Sequence, residues 1–234
     1  MKLREFASTV AQPLNDTLNP KLWIGDDLQL AVRQRLLKIA SEFERFVNMP
    51  TLGVKDITVT GSNAAYAYTA HSDIDLHLIV AGTPTPEERE LFTAKKALWG
   101  LEHDIRIRGL PVECYIQGES EPHHSTGIYS VKDELWLVEP QRDKPKIDDQ
   151  AVRAKTTALA DLIRSSLESQ DRTQAEAVKQ RVVQMRKAGL SKTGEWSTEN
   201  QTFKSLRRLG LIDQLTTHIR QLQDQELSLE RRQN

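Results

Sequence analysis

The chain has 234 residues, with 33 Asp and Glu against 32 Lys and Arg for a formal net charge of −1. That length holds one domain or two small ones and buries a core without disulfide or metal staples. The balanced charge excludes a polybasic nucleic-acid footprint over the whole chain, and no apolar run approaches the roughly 20 residues of a membrane-spanning helix.

Met1 to Pro20 lacks the apolar stretch of a secretory leader. Together with a single cysteine, Cys114, this points to a reducing, cytoplasmic compartment. Leu28 to Val47 carries Leu36, Ile39, Ala40, Phe43, Phe46 and Val47 at helical spacing. Asp26 or Asp27 is the expected cap and Pro50 the expected stop. Ile57 to Val59 reads as a strand ending at Gly61. Asn63 to Tyr68 then reads as a short helical piece. Asp73 to Val80 alternates, with Ile74, Leu76 and Leu78 on one face and Asp75 and His77 on the other. Thr85-Pro86-Glu87-Glu88 opens a helix with a capping box. Ile105 to Arg108 and Val112 to Gln117 form a hairpin, and Trp136 to Val138 a further strand. Glu139 to Lys146, rich in proline and charge, is the expected linker. Beyond it the chain reads as about four helices. Thr173 starts one and Gly189 stops it; Thr198 to Gln201 starts another and Gly210 stops it.

Chemistry concentrates in Gly61-Ser62 followed by Asp73-Ile74-Asp75-Leu76. A glycine after a strand lets the backbone turn sharply and approach a ligand. Unpaired N–H groups at the start of the next helical piece would bind phosphate. Asp73 and Asp75, two apart on a strand, leave the same face about 6–7 Å apart at the backbone. Carboxylates so spaced can bridge two Mg²⁺ ions about 3.5–4 Å apart. A phosphate cradle beside such carboxylates is equipment for phosphoryl or nucleotidyl transfer. Either feature alone is common in turns and solvated edges. Together, with an apolar face behind the carboxylates, they mark a site.

Gly61-Ser62 with Ser72-Asp73-Ile74-Asp75-Leu76 resembles the nucleotidyltransferase superfamily of DNA polymerase β type. Thr60 to Tyr66 with Ser72 to His77, and Gly189-Leu190, Gly194-Glu195-Trp196-Ser197, Asn200, Phe203-Lys204 and Leu206-Arg207-Arg208, look like small phage-encoded members. The resemblance implies an α+β protein. Residues 1–145 would form a mixed β-sheet catalytic core with flanking helices, and residues 146–234 a helical C-terminal domain. It also implies Mg²⁺ or Mn²⁺ dependence, a nucleoside triphosphate substrate, and the host cytoplasm if the chain is viral. It implies a third carboxylate from a later strand, which joins Asp73 and Asp75 as a catalytic residue and metal ligand. Glu113 is preferred, because Glu113, Tyr115 and Gln117 share the polar face of their strand; Asp104 ranks second. A carboxylate beside Mg²⁺ can accept the acceptor hydroxyl's proton.

Other signals are weaker. His77 would touch phosphate or orient Asp75. His123 and His124 sit in a polar loop whose spacing from Cys114 fits no closed zinc site. From Glu176 to Gly210 eight basic residues face three acidic ones. Lys204, Arg207 and Arg208 share a helix side and are the candidates for reaching the nucleotide. The leading function is transfer of a nucleoside monophosphate from NTP to a hydroxyl of RNA, protein or a small molecule, releasing pyrophosphate. The alternative is a non-catalytic nucleotide-binding or toxin–antitoxin-type interaction module.

Overall fold

The computed structural model describes residues 14–49, 53–70, 72–123, 125–142 and 147–229. The chain divides into two compact units, one built on a sheet and ending among the described residues at 142, the other helical from 147.

The sheet unit begins with a small antiparallel ribbon, β1 (Trp23–Ile24) with β2 (Asp27–Leu28). Then follow α1 (Leu30–Val47), β3 (Val54–Thr60), a 3₁₀ turn (Ser62–Ala64), β4 (Ile74–Val80) and α2 (Pro86–Glu102). β5 (Arg106–Ile107), β6 (Leu110–Gly118), β7 (Ile128–Ser130) and β8 (Leu135–Val138) complete it. The main sheet has the order β5-β6-β4-β3-β7-β8. Only β4 and β6 run parallel, and α2 lies on the crossover that a parallel pair requires. The sheet is therefore mixed.

One face of the sheet makes the core. Val32, Leu36, Ile39, Phe43 and Val47, repeating every three or four residues along α1, pack in one cluster with Ile74, Leu76 and Leu78 of β4. Each fully buried Leu or Ile contributes about 1.5–3 kcal/mol over an exposed one. Because side chains alternate across a strand, burying those three β4 residues turns Asp75 and His77 to the opposite face. α2 opens as its sequence indicates: Glu88 N–H donates to Thr85 Oγ1 at 3.2 Å, and Thr85 N–H to Glu88 Oε2 at 2.8 Å. The hairpin between β5 and β6 closes through Arg108 and Gly109, both at positive φ. That is the backbone a two-residue hairpin turn demands.

The helical unit holds α3 (Asp149–Glu168), α4 (Arg172–Thr193), a 3₁₀ turn (Gly194–Trp196), α5 (Thr198–Arg208) and α6 (Leu211–Leu227). Leu159, Ile163, Val178, Val182, Leu206 and Leu215 share its core. No described helix is long and apolar enough to cross a membrane.

Several local expectations change. α1 starts at Leu30 behind Gln29, with no side-chain cap, because Asp27 and Leu28 are drawn into the ribbon with Trp23 and Ile24. Pro50 lies outside the described residues. The helical piece from Asn63 to Tyr68 shrinks to Ser62–Ala64, because Ala65 is extended at φ −150°. β4 begins one residue after Asp73. α4 is capped by Asp171 and runs through Gly189 to Thr193. Gly189 serves packing instead: a Cβ there would lie 2.5 Å from Glu199 Cβ and 2.6 Å from Ser197 Oγ, at the start of α5.

Candidate active site

The parallel register between β4 and β6 builds the site. It sets Asp75 beside Glu113 and His77 beside Tyr115 on the face away from the core. On its other side Asp75 pairs in register with Thr60, the last residue of β3. The chain then turns at Gly61, which has φ +73°. A Cβ at Gly61 would run into Oδ2 of Asp75, so glycine is required both by its dihedral angle and by this close approach.

Asn63 holds the turn and is fully buried. Its Nδ2 donates to the carbonyl of Asp73 at 2.6 Å, and its Oδ1 accepts from Asn19 Nδ2 at 2.7 Å. Trp23 Nε1 donates to the Asn63 carbonyl at 2.8 Å. One buried amide thereby ties the turn after β3 to the entry of β4, fixing where Asp73 stands relative to Gly61. Ser62 Oγ lies 2.9 Å from Ser72 Oγ, which also accepts the Thr69 N–H at 2.9 Å. Three residues of 3₁₀ turn carry a negligible dipole. What Gly61 and Ser62 offer a ligand is close backbone approach and a hydroxyl, not a helix end.

Asp73, Asp75 and Glu113 act on one another. Burial raises the Asp75 carboxyl from 3.8 to about 7, and the charges of Asp73 and Glu113 add to the rise. Burial also pushes Glu113 upward, but hydrogen bonds from Lys96 and Tyr115 and the charge of Lys96 outweigh it and hold that carboxyl below its ordinary value. Glu113 further shares a hydrogen bond with Asp73. Lys96 Nζ, from α2, donates to Glu113 Oε2 at 2.9 Å, and Tyr115 OH to the same oxygen at 2.7 Å. The ammonium also stands over the Tyr115 ring, 3.5 Å from its centroid. Burial and three neighbouring carboxylates push the Tyr115 phenol far up, so it stays a donor. A cleft lined by Arg89, Phe92, Thr93, Lys96, Tyr115 and Glu121 opens beside this cluster.

His77 stacks on Tyr115 at 4.7 Å, and its Nδ1 lies 2.7 Å from Gln117 Oε1. Burial lowers it from 6.5 to about 4, so it is a neutral imidazole at pH 7. Asp104 is exposed and paired with Arg106 at 2.9 Å. Cys114 is buried on the core face, its thiol pushed up to about 12 by burial. His124 lies outside the described residues.

The basic trio lies on α5. Lys204 Nζ donates to Glu195 Oε1 at 2.7 Å, an engagement within the helical unit. Arg207 is exposed, and Arg208 Nη2 reaches Ser205 Oγ at 3.4 Å. Phe203 packs against the helical core with the Arg186 guanidinium over its ring at 4.3 Å.

The donor set suits a hard divalent cation: oxygen ligands whose mutual repulsion is already visible at Asp75. Among the described residues no three His, Cys, Asp or Glu side chains converge tightly enough to cage an ion. Mg²⁺ seldom uses such a cage; it takes one or two carboxylates and completes its shell with water and substrate phosphate. Asp73 and Asp75 fit that mode.

Sequence reasoning missed Lys96, Asn63 and Tyr115 as parts of the cluster. Tyr115 was within reach, since period 2 puts it on the face of Glu113. Lys96 and Asn63 had no local signal.

No protein-family model matches the chain, and no curated protein matches it. Solved structures that overlap it include the STING-associated CdnE c-di-GMP synthase of Capnocytophaga granulosa, at 12% identity, 85% of this chain, 84% of that one and a TM-score of 0.23. The spectinomycin adenyltransferase of Enterococcus faecialis overlaps at 11% identity, 81% and 99% coverage and a TM-score of 0.25. The CdnC:HORMA-deltaN complex of E. coli MS115-1 overlaps at 12% identity, 87% and 89% coverage and a TM-score of 0.25. TM-scores of this size carry no argument about fold or function.

Proposed function

We propose that the protein is a divalent-metal-dependent nucleotidyltransferase of DNA polymerase β type, moving a nucleoside monophosphate from NTP to a hydroxyl and releasing pyrophosphate. The observation that carries this reading is the β4–β6 register, which sets Glu113 beside Asp75 while Gly61 closes to within touching distance of the Asp75 carboxylate.

Asp73 and Asp75 would hold Mg²⁺ or Mn²⁺ together with the triphosphate. The ion, when bound, supplies Lewis-acid charge at the phosphate under attack. The chain's own residues supply the rest. Gly61 and Ser62 give the phosphates close backbone approach. Glu113, oriented by Lys96 and Tyr115, accepts the proton of the acceptor hydroxyl. Neutral His77 holds the β4–β6 surface through Gln117 and offers its second ring nitrogen to substrate. Lys204, Arg207 and Arg208 are the proposed nucleotide contacts from the helical unit.

The test is incubation with each α-labelled NTP, Mg²⁺, total RNA and protein, reading pyrophosphate and the labelled product. Metal-dependent pyrophosphate release that disappears in Asp75→Asn is expected. Release by Asp75→Asn at the wild-type rate overturns the proposal. NTP binding without any turnover favours the non-catalytic module.

A further inference from the structure

We infer that Lys96 takes the place of a second metal ion at Glu113, so that the carboxylate cluster binds one divalent cation, at Asp73 and Asp75. The inference rests on the nucleotidyltransferase reading and sharpens its metal requirement.

Glu113 Oε2 receives two donors at once, Lys96 Nζ at 2.9 Å and Tyr115 OH at 2.7 Å. Two donors fill the lone pairs of Oε2, which leaves Oε1 as the oxygen that accepts a proton. An ion there would also have to displace an ammonium or sit against it, charge to like charge. Lys96 is not delivered by a loose loop. It lies near the middle of α2 (Pro86–Glu102), whose Phe92 and Trp99 are buried in the core, and it is further held over the Tyr115 ring at 3.5 Å. Among the described residues β5 pairs with Leu110 and Pro111 of β6, and Lys96 reaches Glu113, farther along β6, from α2.

Among the described residues no three-carboxylate cage is formed, and Glu113 is paired with the lysine. Glu113 is then a proton acceptor held in place, not a metal ligand, and Lys96 is a positioning residue.

The experiment counts ions rather than turnover. Mn²⁺ is titrated into the full-length protein with inorganic tripolyphosphate present, and bound ions are read from loss of the free-ion EPR signal against tripolyphosphate alone. Wild type and Lys96→Arg should bind about one ion, and Lys96→Met, which frees Glu113, about two. Two ions on wild type, or one on Lys96→Met, overturns the inference while the nucleotidyltransferase reading stands. If Lys96→Met does not fold, the wild-type count still decides between one ion and two. No bound ion on wild type removes the reading itself and the inference with it.

Discussion

Among the lysine–glutamate pairs of the protein, Lys96 on Glu113 in the sheet unit and Lys204 on Glu195 in the helical unit do different things. Lys204 meets Glu195 at 2.7 Å with side chains 26% and 9% exposed; Lys96 meets Glu113 at 2.9 Å with 32% and 38%. By distance and burial alone the helical pair is the stronger candidate for function. Its surroundings say otherwise. Beside Glu195 the Asn200 and Gln201 amides donate to its backbone carbonyl, and the Lys204 ammonium donates to its carboxylate. Beside Glu113 stand Asp73 and Asp75, and the Asp75 carboxyl stays raised despite the charge of Lys96. A site is marked by the imbalance that remains after pairing, not by the pair.

The largest expected effect comes from removing that imbalance. Asp75→Asn should abolish pyrophosphate release yet raise the metal-free melting temperature at pH 8. The folded state raises this carboxyl from 3.8 to about 7, through burial first and then Asp73 and Glu113. A raised pKa favours folding below the unfolded value, and that contribution is lost as pH rises through about 7. His77 runs the other way: lowered from 6.5 to about 4, it favours folding above 6.5 and loses that as pH falls. The two slopes oppose each other between about pH 4 and 6.5, so the Asp75 signature is cleanest above that window. A wild-type melting temperature that rises from pH 6.5 to 8 without metal would contradict the cluster's electrostatics.

Glycines sharpen the contrast next. Gly61→Ala puts a methyl into Asp75 Oδ2 at a positive φ, so it should lower turnover by roughly 10²-fold, as small misplacements at reacting centres do. Gly189→Ala collides with Glu199 and Ser197 where α5 begins. It should cost about 1–3 kcal/mol of stability, read by chemical denaturation, and leave the KM for NTP of the folded fraction unchanged.

Those two glycines also show what was legible. Gly61 could be read because its function is local: a strand ends, the chain turns, and carboxylates follow. The alternation of Ile74, Leu76 and Leu78 likewise declared which way Asp75 faces. Gly189 misled, since a glycine that ends a helix and one that admits a neighbouring helix look alike in sequence. Lys96 was invisible for a related reason. On α2 it reads as a solvated lysine, and only the β4–β6 register and the path of α2 bring it to Glu113. Asn200, Gln201, Thr202 and Ser205 of α5 are buried although polar, so periodicity of apolar residues could not orient that helix.

Lys204→Ala should destabilise the protein by about 1–3 kcal/mol, because the largely buried Glu195 carboxylate loses its ammonium. The double substitution Lys204→Met with Glu195→Leu should recover most of it, since a partly buried pair is replaced by apolar packing of similar volume. If Lys204→Ala melts like wild type and raises the KM for NTP instead, Lys204 is a nucleotide contact and its pairing with Glu195 is incidental.

The smallest effect separates the two pairs directly. Lys96→Ala removes the only ammonium that hydrogen-bonds to Glu113 among the described contacts, so the three carboxylates repel one another more strongly. Without metal the variant should melt a little below wild type, a modest shift because Lys96 and Glu113 are each about one-third exposed and solvent screens the pair. On the proposed reading Mg²⁺ binds the folded cluster and not the unfolded chain, so at ten times its dissociation constant it would return about 1.4 kcal/mol by mass action. The loss in Lys96→Ala should therefore be recovered by Mg²⁺, and by more than wild type gains, because the added ion finds Glu113 as well. The loss in Lys204→Ala should not respond beyond the wild-type increment, since the Lys204–Glu195 pair is not part of the Asp73, Asp75 and Glu113 cluster. Thermal melts of the three proteins against Mg²⁺ concentration read this without any assay of turnover. Equal increments in all three would mean that the surplus charge around Glu113 does not recruit metal, and the distinction between the two lysine–glutamate pairs would fall.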